Sequence, residues 1–372
     1  DVTPQPRPYS PTLADRGMVY QPNSVRGNKP VTVGHRYSSV AALPEAEEGV
    51  SSSWVVPLCT GRVSTDQDKE LVGAKQMDAL LQDDSLPFHQ ELCVEVGDTG
   101  YSKPAYLCAN RHHTNLVTIA RSRSNRIFYR QFVSTEKQTG HPKWYGAPFS
   151  LKDTTTWHEA DKKATTTYVS RRGKTYRVEI QAWHNMLMRG KRKPELLPMH
   201  RHPFTLLHIV LYDKQGKPAF RRPLWLIVIG EQRHQLSLLE IYHAYIQRFD
   251  LEHFFRFGKQ RLLLASFQTP DDKREEMWWQ LAHIAYAQLW MARHVARSLP
   301  RPWERNLPEM KTRRMSPSLV QRDFGQVIRQ IGTPAQPPKP RGNSPGRSEG
   351  TRLPPRPRRK VVIKGQKQAS SP

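Results

Sequence analysis

The apolar positions of this chain change rhythm several times, and each rhythm predicts a different element. Residues 69–82, KELVGAKQMDALLQ, place Leu71, Met77, Leu80 and Leu81 at helical spacing. SSWVVPLCTGRV (52–63) reads as a strand before it. Leu92 to Val96 is a short buried strand, ending in a Gly-flanked turn that holds Asp98. A helix starting near Lys103, with Pro104 in its first turn, leads to a further strand over 115–123. Strand, helix, strand is the βαβ pattern, so the fold class is α/β.

From residue 141 the pattern becomes β-rich, and Gly173 and Gly216 punctuate two hairpins. Residues 141–222 therefore read as a mostly antiparallel insertion, and PLWLIVIG (223–230) as the return to the main sheet. Helices are expected over 236–258 and 274–297, with one more after Ser316 or Ser318 as its cap. The expected divisions are 1–140, 141–222, 223–300, a helical segment 301–331 and a tail 332–372. Residues 1–45, rich in Pro, Arg and Gly, read as irregular chain.

Charge adds a partner class. Lys and Arg number 58 against 33 acidic residues, a formal charge of +25. That surplus points to a polyanion, with nucleic acid first. The tail from Gly332 to Pro372 holds ten Lys or Arg and one Glu, is rich in Pro, Gly and Ser, and reads as disordered, either a solubilising tail or an arm that orders on DNA phosphates. No apolar run reaches the roughly 18 residues that a membrane helix needs. Cys59, Cys93 and Cys108 form neither a disulfide framework nor a zinc spacing. The pairs His112–His113 and His200/His202 lack a further Cys or His at ligand spacing, which argues against a metal there.

The stretch YIQRFDLEHFFRFGK (245–259) carries the most specific pattern. At about 100° per residue, Arg248, Glu252 and Lys259 fall roughly −60°, −20° and −40° from Tyr245, so one narrow stripe holds all four. Phe and Leu occupy much of the remaining circumference, as on a helix packed on several sides. A carboxylate there calls for a cation, a metal or a donor, and the simplest partner is Arg248 for Glu252. Asp98, at the end of a strand, stands where α/β sheets bind ligands, a position also common for an Asx turn or N-cap.

Tyr-x2-Arg-x3-Glu-x6-Lys, met by Tyr245, Arg248, Glu252 and Lys259, resembles the signature of the DDE insertion-sequence transposases. DTGYS (98–102) is similar to that family's second-Asp motif, and DVT (1–3) to its first. The resemblance covers roughly residues 1–300 and implies a ribonuclease-H-like mixed sheet with flanking helices, interrupted by a β-rich insertion. It further implies that Asp1, Asp98 and Glu252 hold Mg²⁺ or Mn²⁺. Tyr245, Arg248 and Lys259 would contact phosphates of the transposon end, and Trp225 would stack on an extruded base, although its place in LWLIVIG equally reads as a buried strand Trp. Arg121, Arg123 and Arg126 would line the DNA channel. The implied partners are double-stranded DNA, both transposon ends and target, and a second copy of the chain, with no membrane and a bacterial cytoplasmic, nucleoid-associated setting.

The family's first Asp ends a central strand, and no residue precedes Asp1 here, so the chain is expected to lack the first core strand, as a fragment, an incorrectly placed start or the product of a decayed element. A catalytically inactive DNA-binding remnant, or a nuclease that cuts without joining, are the other readings.

Overall fold

The computed structural model describes residues 1–20, 30–44, 54–132, 143–170, 173–190, 197–297, 303, 315–332, 346, 349–350, 352 and 354–363. Its contacts divide into two compact units. Asp1 and Asp68–Arg248 form the sheet unit; Val2–Gln67 and Phe249–Pro372 form the helical unit.

The helical unit begins with four strands, β1 (Val2–Pro6), β2 (Gly17–Tyr20), β3 (Val31–Ala42) and β4 (Val56–Val63). The long β3 pairs antiparallel with the other three. The expectation of irregular chain over residues 1–45 is therefore wrong for three strands. The cause is chemical. β1 tolerates Pro4 and Pro6 because it is an edge strand. Its inward positions are the polar Thr3 and Gln5, and β3 buries His35, Ser38 and Ser39 beside a single aromatic, Tyr37, so no apolar alternation marks either strand.

The sheet unit contains α1 (Lys69–Leu81), β5 (Cys93–Gly97), α2 (Pro104–Ala109), β6 (Leu116–Arg121), β7 (Ile127–Gln131), β8 (Tyr145–Ser150), β9 (Lys162–Val169), β10 (Thr175–Met186), β11 (Phe204–Tyr212), β12 (Leu224–Ile229) and α3 (Leu238–Gln247). Six strands form one mixed sheet in the order β5-β6-β12-β11-β10-β9. β5 and β6 are parallel, with α2 as the crossover, and every other pair in the sheet is antiparallel. This curled mixed sheet with flanking helices is compatible with a ribonuclease-H-like fold. β9–β11 are hydrogen-bonded into the same sheet as β6 and β12. Gly173 and Gly216, at φ 73° and 75°, make the two expected turns. One face of the sheet packs Trp183, Trp225, Phe204 and Phe149; the other packs Ile119, Leu207 and Val228 with Ile241, Tyr242 and Tyr245 of α3. Ser237 and Glu240 form a reciprocal capping box at the start of α3.

The chain then returns to the helical unit with α4 (Phe249–Arg261), α5 (Asp272–Arg297) and α6 (Pro317–Ile331). The single helix expected over 236–258 is thus two helices, interrupted at Arg248, so the stripe of four residues does not belong to one continuous helix. Trp279 of α5 stacks on Tyr37 of β3 at 4.2 Å and 7°. Ser316 caps α6, with Pro317 in its first turn. Five of the ten basic residues of the tail (339, 341, 347, 364 and 367) lie outside the described residues. Disorder fails as a description of the part around Arg359–Val362. Arg359 N–H donates to Pro11 O at 2.7 Å, Val362 N–H donates to Arg16 O at 2.8 Å, and Val362 bridges Gly17 of β2. The Val361-Val362-Ile363 run meets a strand edge with open backbone groups.

Among the described residues no helix is long and apolar enough to cross a membrane. All three cysteines are free thiols.

Candidate active site

Asp98 follows β5, at the carboxyl end of the parallel β5–β6 pair. It caps a short 3-10 turn over Thr99–Ser102, and its Oδ1 accepts from Gly100 N–H at 2.7 Å. The carboxylate is therefore held in one orientation at a strand end, where open α/β sheets present ligand groups. Of the two roles considered for Asp98, the cap is the one this geometry shows.

Glu70, in the first turn of α1, stands beside it. A Cβ at Gly100 would lie 2.9 Å from Glu70 Oε1 and 3.1 Å from Asp98 Oδ1, so any side chain there would crowd both carboxylates. Glu70 is buried, and its Oε2 lies 3.0 Å from Lys103 Nζ. Sequence reasoning missed Glu70, because a Glu in a first turn reads as an ordinary partner of the helix dipole. The buried Tyr101 hydroxyl lies in the same field. Burial first, then the charges of Asp98, Glu70 and Glu95, raise its pKa, while Arg248 lowers it.

Arg248 ends α3 and is itself buried. Its Nη1 lies 3.7 Å from Asp1 Oδ2. Within the sheet unit, then, the first residue is tied to a cation 247 positions later, near the turn that carries Asp98.

A family model for DDE superfamily endonucleases matches residues 1–190, just over half of the chain. The chain belongs to that family. No curated protein matches it. For this DDE superfamily endonuclease, phosphodiester cleavage is the family chemistry and DNA the substrate class. The match includes Asp1 and Asp98 and stops before Tyr245–Lys259.

The remaining site candidates of the endonuclease separate by burial. Trp225 is 1% exposed and encased by Phe149, Trp157, Trp183 and His208. Tyr245 is also 1% exposed and lies in the core, its ring 5.8 Å from the Arg248 guanidinium. Trp225 thus takes the buried-strand alternative that its LWLIVIG setting also offers, and Tyr245 lies in the core, so neither ring stands at the surface. Arg121 and Arg123 are exposed, as a DNA surface requires. Arg126 is half-buried and donates to Ser102 Oγ at 3.4 Å, which ties the basic run to the Asp98 turn. Burial, then Arg123, lower its pKa.

In the helical unit, Glu252 is exposed on the first turn of α4. Lys259, two turns on, donates from Nζ to Thr3 Oγ1 at 2.6 Å. Burial lowers its pKa to about 8.

One further buried group escaped sequence reasoning. Glu95 of β5 accepts from Tyr106 OH and, at 3.0 Å, from Thr118 Oγ1. Arg111 donates to Thr118 Oγ1 at 2.8 Å and to Ile229 O at 2.9 Å. Burial raises the Glu95 pKa despite these donors. This network joins β5, β6, α2 and β12 behind the Asp98 turn.

Proposed function

We propose that this endonuclease is the catalytic core of a DNA transposase, cutting the ends of a mobile segment and joining the freed 3′-OH to target DNA. The observation that carries the reading is Asp98, fixed by Gly100 at the end of a parallel strand pair inside the matched region. Support from the sequence is the Tyr245–Lys259 spacing.

Asp1, Asp98 and Glu252 would hold Mg²⁺ or Mn²⁺. Carboxylate oxygens suit these hard ions, and Asp98 and Glu252 are at least partly exposed. When bound, such ions supply charge neutralisation at the phosphate and an acidified water. The protein's own residues do the positioning. Arg248 holds the Asp1 carboxylate, and the Gly100 N–H holds that of Asp98. Lys259, with Arg121, Arg123 and Arg126, binds backbone phosphate by charge and N–H donation. Two copies acting on paired ends, within a bacterial cytoplasm, complete the proposal.

The test is plasmid nicking and end-joining with Mg²⁺ or Mn²⁺, run beside a DNA mobility-shift assay. Asp98→Asn and Glu252→Gln should each lower cleavage roughly a thousandfold or more, since several kcal/mol of transition-state stabilisation are removed. DNA binding should change little. Binding without any cleavage by the unaltered chain would instead favour an inactive DNA-binding remnant. Cleavage without joining would favour a nuclease.

A further inference from the structure

Three side chains converge on one oxygen of Asp78, in the last turn of α1. His113 Nε2 lies 2.7 Å from Oδ1, His112 Nε2 lies 2.9 Å from it, and Gln82 Nε2 lies 3.0 Å from it. A carboxylate oxygen has about two lone-pair sites, so three donors oversubscribe it.

The cluster is built by the scaffold. The two histidines follow α2, and His113 N–H donates to Asn110 O at 3.3 Å. Asn110 is buried, and its side chain donates to Ala74 O of α1 at 2.9 Å, which pins the histidine turn to the helix bearing Asp78. The imidazole rings lie 4.1 Å apart, tilted by 41°. The His113 side chain is 12% exposed, that of Asp78 34% and that of His112 56%. One ligand atom from each residue lies within 4.8 Å of the others.

We propose that Asp78, His112 and His113 form a metal site for a borderline divalent ion of the Zn²⁺ class, separate from the carboxylates of the proposed active site. Two imidazole nitrogens and a carboxylate oxygen are a zinc donor set, whereas Mg²⁺ takes oxygen ligands. Tetrahedral ligands at about 2.0–2.1 Å from zinc stand roughly 3.3 Å apart. The present separations from Oδ1 must therefore open by about half an ångström, which the partly exposed Asp78 carboxylate supplies against His113 and rotation of the exposed ring supplies against His112. On binding, each neutral imidazole presents the Nε2 lone pair and carries its proton on Nδ1 instead. Three protein ligands leave a fourth position towards solvent, filled by water. The ion would clamp the end of α1 to the turn after α2. Spacing along the chain could not reveal the site, because the third ligand is a carboxylate 34 residues before the first histidine.

The experiment titrates the full chain, stripped by chelator, with Zn²⁺ by calorimetry and with Co²⁺ by visible absorption. The expected result is one equivalent of Zn²⁺ bound and the intense absorption of tetrahedral Co²⁺. Asp78→Asn and His113→Asn should each weaken Zn²⁺ at least about tenfold. His112→Gln should do the same without touching the buried ring. Asp98→Asn should leave this binding unchanged. Zn²⁺ should also raise the thermal midpoint of the unaltered chain and not that of His112→Gln. Absence of a tetrahedral Co²⁺ spectrum, or Zn²⁺ binding that survives His112→Gln and Asp78→Asn, would overturn the proposal.

Discussion

Arg7 Nε lies 2.6 Å from Glu275 Oε2, both side chains are at 0% exposure, and 268 positions separate them in the chain. His35 Nδ1 and Tyr37 OH meet the other oxygen at 2.8 and 2.9 Å, and Arg7 Nη2 donates to Phe267 O at 2.8 Å. One carboxylate from α5 thus gathers β3 and the segment after β1 into the core of the helical unit. Removing a single partner leaves a buried charge uncompensated. Glu275→Gln and Arg7→Met should each cost about 3–5 kcal/mol in urea unfolding. The double variant should lose less than the two singles together. A loss well below 1 kcal/mol for Glu275→Gln would show that the network does not hold the unit.

The same group sets an acid limit. Burial alone would raise the Glu275 carboxyl, but the His35 hydrogen bond and the Arg7 charge outweigh it, so its pKa stands below the ordinary 4.5. A depressed folded value means that its contribution is complete above the unfolded value and lost as pH falls through the folded one. Stability should therefore drop below about pH 4.5. That drop should be smaller in Glu275→Gln, as a pH series of unfolding curves would show.

Lys259 behaves oppositely. Its folded value, about 8, lies below the unfolded 10.5. Between these the unfolded chain binds more protons, so this group's contribution to stability rises with pH across that window. Lys259→Met should stabilise the protein at pH 7 by on the order of 1–3 kcal/mol, fading towards pH 10.5. The same variant should weaken DNA. Equal stability of variant and unaltered chain at pH 7 would count against a strained, function-bearing ammonium.

The basic run before β7 makes a salt-dependent prediction. Each phosphate neutralised contributes a slope of about −0.9 in log K against log salt. Arg123→Ala should flatten the slope by about one, with a similar loss for every duplex sequence. An unchanged slope would place the DNA surface elsewhere.

Trp225 separates core from interface. Trp225→Ala should cost about 3–5 kcal/mol of stability by leaving a cavity among Phe149, Trp157 and Trp183. Its folded fraction should bind DNA with an unchanged salt slope. A selective loss of DNA affinity at full stability would restore the stacking role.

The sequence by itself determined the elements whose side-chain chemistry follows their geometry. The β5–α2–β6 crossover, α1, β12, α5 and α6 were legible because apolar residues there recur at the period of the element and capping residues stand at its ends. The position of Asp98 was legible too, as the residue that follows the β5 strand into its turn. Only the tertiary structure decided what depends on partners distant in the chain. β1 and β3 were hidden because most of their inward residues are polar, and Gln5 and His35 find their partners only once Leu264 and Glu275 arrive from some 240 to 260 positions away. Trp225 and Tyr245 look like polar-tipped ligands in one dimension, and burial makes them core. Glu70 beside Asp98, Arg248 on Asp1, and Asp78 between two histidines are pairings of side chains without a fixed spacing. A local pattern carries no information about them, because the contact exists only after the chain has folded back on itself.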